Sequence, residues 1–167
     1  MDMHRIQNVS FIGMAGCGKS TIGKALSKNL GINFTDTDIL IEERFKASLE
    51  QIKKDNGYKF VRRAEEEVIL SLDKDIKIIS TGGSAVYSEK SMFHLSSFSK
   101  IVYINTPLEE IKNRIGQGQQ RGLAAPEDLS IDDIYQEREP LYKRWADITL
   151  DGKDSVENLL SSVLSFI

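Results

Sequence analysis

A three-layer α/β fold built on a parallel sheet is the architecture that this sequence predicts, and three observations carry the prediction. Short apolar runs rich in β-branched residues alternate with segments of helical period. The first run leads into a glycine-rich loop and then a helix, the local order of a phosphate-binding loop. A length of 167 residues suits one domain, 1–167, with room for a core.

Residues 8–12 read as the first buried strand. Gly13-Met-Ala-Gly-Cys-Gly-Lys-Ser20 follows and matches G-x-x-x-x-G-K-[ST] at every fixed position. Gly13, Gly16 and Gly18 permit positive φ, so successive N–H groups turn inward as an anion cradle. Lys19 adds a point charge and Ser20 a hydroxyl for Mg²⁺, while a helix starting at about Lys19 aims its positive dipole end at the same place. The ligand these devices share is a nucleotide polyphosphate. That helix carries Ile22, Ala25, Leu26 and Leu30 on one face, with Gly31 at the C-terminal cap. Cys17 reads as a small side chain tolerated in a loop that works through backbone amides, since the sequence places no base near it.

Residues 32–35 form a second strand candidate ending in Asp36-Thr-Asp38. Open α/β sheets bind ligands at the C-terminal ends of strands, so both carboxylates are site candidates. Capping of a helix over 39–45 is the plainer account of Asp38 alone. Ser48-Leu-Glu-Gln51 has capping-box spacing and opens a short helix that Asn56-Gly57 closes. Helical period returns over 58–72, where Phe60, Ala64, Val68 and Leu72 share a stripe. Arg62, Arg63, Glu65, Glu66 and Glu67 occupy the other faces, the usual place for solvated charges paired at i,i+3 or i,i+4.

The third strand is 77–80, followed by Thr81-Gly-Gly-Ser84, which is either a backbone brought close to a ligand or a plain turn. A weak helix over 89–96 and a fourth strand over 100–104 come next. Thr106-Pro107 then starts a helix that should fail near Gly116. The stretch to Ser130 has little periodicity, and a lid at about 112–130 carrying Arg114 and Arg121 can close over a nucleotide. Its plainer reading is a surface connection with solubilising arginines. Ser130-Ile-Asp-Asp133 caps a helix to Trp145, with Ile134, Leu141 and Trp145 apolar and a kink expected at Pro140. A short strand over 148–150 precedes a helix begun by Asp154 with Glu157, whose Val156, Leu159, Leu160, Val163 and Leu164 are core positions.

Composition excludes several classes. A net charge of -3 gives no general attraction for nucleic acid or anionic membrane. One cysteine excludes a disulfide framework and fits a reducing compartment. The N-terminus lacks the apolar region of a signal peptide, and no apolar run approaches the ~18 residues of a membrane span. The chain is expected to be cytoplasmic and monomeric, with a small-molecule substrate and neither nucleic acid nor membrane as partner.

No N-K-x-D or D-x-x-G motif follows the phosphate loop, which disfavours the compact GTPases. The remaining pattern resembles the shikimate kinase family over most of the chain. The matching pieces are the phosphate loop, D-x-D at Asp36 and Asp38, R-x-x-E at Arg62 and Glu65, the Gly82-Gly83 loop, a lid arginine at Arg121, and Glu137-Arg-Glu-Pro-Leu-Tyr142 with Ala146-Asp147 beyond it. The resemblance implies the P-loop NTPase/kinase fold with a five-stranded parallel sheet and a lid loop. It also implies ATP, Mg²⁺ and phosphorylation of a small hydroxylated carboxylic acid, shikimate at its 3-hydroxyl.

Carried over to matching positions, Gly13, Ala15, Gly16, Cys17, Gly18, Lys19, Ser20 and Thr21 would bind the nucleotide with Arg114 and Arg121. Lys19 would hold the β and γ phosphates, and Ser20 with Asp36 would organise Mg²⁺. Asp38 would orient the acceptor hydroxyl and take its proton, so that Lys19, Asp38 and Arg121 form the catalytic set. Arg62 and Arg138 would grip the acceptor carboxylate beside the Gly82-Gly83 backbone, their forked donors matching it. The chain departs from the family at Tyr58, Val61, Ser84 and Gly122, three of them around the presumed acceptor pocket. A kinase for another small polyol or sugar acid, and a nucleotide-binding module without turnover, are the competing readings.

Overall fold

The computed structural model describes residues 6–115 and 123–167. Arg121 and Gly122 therefore lie outside the described residues. Five strands, β1 (Val9–Ile12), β2 (Phe34–Asp36), β3 (Ile78–Ser80), β4 (Lys100–Asn105) and β5 (Ile148–Asp151), pair in parallel in the order β2-β3-β1-β4-β5. Among the described residues eight α-helices accompany them: α1 (Lys19–Leu30), α2 (Thr37–Phe45), α3 (Leu49–Asn56), α4 (Tyr58–Ser71), α5 (Glu89–Ser96), α6 (Leu108–Ile115), α7 (Ile131–Trp145) and, after the last strand, α8 (Val156–Leu164).

The strand order fixes the layers. From β1 the chain moves to the β2 edge, then steps back through β3, β4 and β5 in the opposite direction. Right-handed crossovers put α1 on one face and the later connections on the other. Accordingly α1 packs against α8, whereas α4 packs against α5 and α7 against β4. Covered on both sides, β1 is buried at every residue. The direction reverses at β1, so the ligand crevice of such a sheet opens at its C-terminal end, where the phosphate loop begins. Register brings the neighbours level there, with Phe11 opposite Ser80 and Ser80 opposite Asp36.

The main core runs through the sheet and includes Phe11, Ile12, Leu26, Ile79, Val102 and Ile104. A smaller core of Ile41, Ile52, Val61, Ala64, Val68 and Ala124 lies among α2, α3 and α4.

Several boundaries differ from the sequence reading for local reasons. Gly31 adopts a left-handed cap and Ser27 donates its hydroxyl to the Ile32 carbonyl, so the chain stays tied to α1 and β2 starts only at Phe34. The cap of α2 is Asp36, not Asp38: its Oδ1 accepts from Asp38 N at 2.9 Å. Ser48 accepts from Gln51 N, but the Gln51 amide turns to Asp55, leaving half of a capping box. At α7 the box is complete, and the helix continues through Pro140. Ser155 rather than Asp154 caps α8, because Asp154 N belongs to a turn after β5, donating to the Asp151 carbonyl. Val156 is consequently exposed rather than in the core.

Candidate active site

Gly13, Gly16 and Gly18 have φ of 144°, 76° and 108°, the left-handed conformations that turn the loop's amides inward. Gly18 is the N-cap of α1 and offers no side-chain cap, so the first-turn N–H groups remain free for an anion. Lys19 is buried and donates to the Gly13 and Met14 carbonyls, both at 2.8 Å. Cys17 is also buried, and its carbonyl accepts from the Thr106 hydroxyl at 3.0 Å.

The loop floors a cleft of about 760 Å³. Ala15, Gly16, Ser20 and Thr21 line one side, and Gly152, Asp154 and Val156 the other. Arg114 closes the mouth from α6, donating to the Gly16 and Cys17 carbonyls at 3.3 Å and to the Gly152 carbonyl at 3.1 Å. Expected in the lid at about 112–130, Arg114 belongs instead to α6, where Glu110 at 2.8 Å braces it one turn back along the helix. A cleft of this size suits a nucleotide.

Ser20 donates to Asp36 Oδ2 at 2.6 Å and lies 3.3 Å from the Ser80 hydroxyl. Among the described residues no three His, Cys, Asp or Glu side chains gather to enclose a metal. One hydroxyl and one carboxylate beside a phosphate cradle fit Mg²⁺, which keeps waters and takes other oxygens from phosphates.

Beyond Asp36 lies a second, smaller cavity of about 70 Å³. Asp38, Glu65, Gly82, Gly83 and Arg138 all line it. A methyl at Gly82 would overlap both the Glu65 and Asp38 carboxylates, so glycine is needed to let them meet over this strand end. At Gly83 a methyl would come 2.7 Å from Arg138 Nη1, and the Gly83 carbonyl accepts from Tyr142 at 2.6 Å. Burial, then the neighbouring Glu65 and Asp36 charges, pushes the Asp38 carboxyl up to about 7. Burial also raises Glu65, against the hydrogen bond donated by Ser84 and the charge of Arg138. Glu65 Oε1 has no hydrogen-bond partner among the described residues.

Arg62 pairs with neither Glu65 nor Glu66, the carboxylates three and four positions along the helix. Glu65 turns inward, Glu66 accepts from Ser88, and Arg62 Nε instead donates to the Ala124 carbonyl at 2.8 Å. Arg138, 1% exposed, donates from Nη2 to the same carbonyl at 3.2 Å. Two arginines separated by 76 residue positions thus converge on one oxygen. Part of the expected lid is packed structure: Ala124 and Ala125 are buried.

A nucleotide-sized cleft on a phosphate loop, with a small cavity at the adjacent strand ends that Asp38, Glu65 and Arg138 line, defines a P-loop kinase for a small molecule. The chain belongs to the shikimate kinase family, whose sequence pattern matches residues 15–167. It is 32% identical over 170 residues to the shikimate kinase of Francisella tularensis subsp. novicida, across 99% of this chain and 97% of that protein. Its identity to the shikimate kinase of Legionella pneumophila is also 32%, across 100% of this chain and 98% of the relative. Among solved structures it resembles shikimate kinase from Acinetobacter baumannii in complex with shikimate, with a TM-score of 0.86 and 28% identity over 96% of this chain and 92% of the other.

The structure brings Lys19, Ser20, Asp36 and Asp38 to one strand-end crevice and sets Arg62, Arg138, Gly82 and Gly83 beside it. Sequence reasoning did not single out Tyr87 or the Ala124 carbonyl, nor the cleft wall at Gly152, Asp154 and Val156. Glu65 stood in a motif but received no role. Its signal was the raised cost of a buried carboxylate, which becomes visible only once α4 is packed.

Proposed function

We propose that this kinase transfers the γ-phosphoryl group of ATP to the 3-hydroxyl of shikimate. The observation that supports this reading best is the convergence of Arg62 and Arg138 on the Ala124 carbonyl, 2.8 and 3.2 Å away, at the edge of the cavity that Asp38 lines. A pair of forked donors that already share one oxygen is suited to a carboxylate, which offers two. Asp38 has the position and the raised affinity for a proton that a base for the acceptor hydroxyl needs. The hydroxyl oxygen bonds to the γ phosphorus as the bridging bond to ADP breaks, and its proton passes to Asp38.

Lys19 and the free amides of α1 offset the phosphate charge, while Ser20 and Asp36 supply the oxygens for Mg²⁺. Such a metal, when bound, would offset the negative charge that develops on the phosphates during transfer. Arg121 is assigned to the transferred phosphate on the resemblance alone. The changed pocket residues are compatible with this acceptor: Val61 packs into the small core and Ser84 hydrogen-bonds Glu65.

Lysine at Arg62 or Arg138 keeps the charge but loses the fork. Either substitution is expected to raise the shikimate KM about tenfold or more, with the ATP KM within about twofold. A coupled ADP-release assay against a panel of hydroxy acids measures this. Faster turnover of an acceptor without a carboxylate, with its KM unmoved by Arg138→Lys, would overturn the reading.

The described residues contain no helix long and apolar enough to cross a membrane. We read the chain as a single-domain cytoplasmic monomer, since one chain supplies every group named above. Light scattering on the purified protein is expected to give the mass of one 18.8 kDa chain; a stable dimer mass would refute the monomer.

A further inference from the structure

Among the described residues no ion pair involves Arg62 or Arg138, although the Arg138 charge reaches the buried Glu65. Two guanidiniums brought to one carbonyl repel each other, so a further group must hold them in place. Tyr87 touches both. It ends the 3-10 turn Ala85–Tyr87, which continues the Gly82-Gly83-Ser84 loop. Its ring centroid lies 3.9 Å from Arg62 Cζ and 5.4 Å from Arg138 Cζ. The Tyr87 hydroxyl accepts from Arg138 Nε at 3.4 Å and donates to Glu137 Oε1 at 2.5 Å. Tyr58 adds a second aromatic face, 4.9 Å from Arg62 Cζ.

We propose that Tyr87 is a positioning residue of the acceptor-carboxylate clamp, holding Arg62 and Arg138 convergent through its ring face while its hydroxyl ties the ring to α7. The chemistry favours a ring over an acid here. A carboxylate between the arginines would occupy the N–H donors that an incoming acceptor needs. A ring face attracts the flat side of a guanidinium and leaves its donor edge free. Both positive charges then remain available to an anionic acceptor. The 3-10 turn also connects this ring along the chain to the Gly82-Gly83 backbone on the acceptor side.

This inference rests on the carboxylate-clamp reading of Arg62 and Arg138, and the test separates the two. Tyr87→Leu keeps apolar bulk but removes the ring face and hydroxyl. With the hydroxy acid of the panel that the parent enzyme turns over best, its acceptor KM is expected to rise about tenfold. The ATP KM should stay within about twofold, and kcat should change less than the acceptor KM. Tyr87→Phe restores the ring without the hydroxyl and should return the acceptor KM to within about threefold of the parent. The double variant Tyr87→Leu with Arg138→Lys should lose less than the product of the single effects, because both act on one anion.

An unchanged acceptor KM in Tyr87→Leu would overturn the inference. So would a parallel rise in both KM values with a lowered Tm that Tyr87→Phe does not repair, since that is the signature of a structural role. If Arg138→Lys raises the acceptor KM and Tyr87→Leu does not, only the role of Tyr87 falls. If Arg138→Lys leaves it unmoved as well, the clamp itself is refuted.

Discussion

Replacing Lys19 by methionine is expected to reduce kcat on the order of 10²–10³-fold or more, the loss that follows removal of a preorganised charge from a phosphoryl-transfer site. The fold should survive, but not untouched. The ammonium is buried and donates to the Gly13 and Met14 carbonyls at 2.8 Å, so it shapes the loop as well as the charge within it. Losing those bonds leaves two carbonyls short of a donor, at a cost of about 1–3 kcal/mol. In a chain of this length that lowers Tm by several degrees, ~2–4 °C per kcal/mol. A thermal melt and the ADP-release assay on one preparation check both parts. Turnover within a few fold of the parent, in a folded variant, would refute the phosphate-loop role.

The sheet and the nucleotide side were legible because their signals are local. The motif from Gly13 to Ser20 constrains φ, charge and helix start within eight residues, and all five strands were found within a few residues of their observed ends. Caps were less legible, since Asp36 and Asp38, or Asp154 and Ser155, are equally good cap residues by type. Only the turn geometry after the strand chooses between them. The acceptor side was opaque for a different reason. Arg62 and Glu65 sit one helical turn apart, a spacing that ordinarily makes a surface pair. The packing of α4 under the Gly82-Gly83 loop separates them, sending Glu65 inward to Ser84 and Arg62 to the Ala124 carbonyl and the Tyr87 ring. Val156 misled in the opposite sense, because an apolar residue at the start of an amphipathic helix reads as core when it lines a cleft.

Asp38→Asn is expected to lower kcat on the order of 10²–10⁴-fold, the contribution of a positioned general base, while ATP affinity measured by calorimetry without acceptor stays within about twofold. The same change should stabilise the protein at neutral and alkaline pH. Burial, Glu65 and Asp36 together raise the carboxyl from 3.8 to about 7 in the folded chain. The folded state therefore holds more protons than the unfolded chain between those two values, and stability falls as pH rises through that window. Above about 7 the penalty of the ionised group is fully present. Asp38 is only half-buried at its cavity, so solvent screens part of this cost, and roughly 2 kcal/mol is at stake. An asparagine carries no such penalty. Its Tm should exceed that of the parent by ~4–8 °C at pH 8, and the difference should shrink toward pH 4. Turnover of the parent at limiting acceptor should rise with pH up to about 7, as the base ionises. If asparagine lowers the Tm at pH 8, the carboxylate is stabilised by its surroundings rather than strained by them, and a base with a raised pKa is excluded. If ATP affinity instead falls in step with turnover, Asp38 serves the metal beside Asp36, and the acceptor hydroxyl must pass its proton elsewhere.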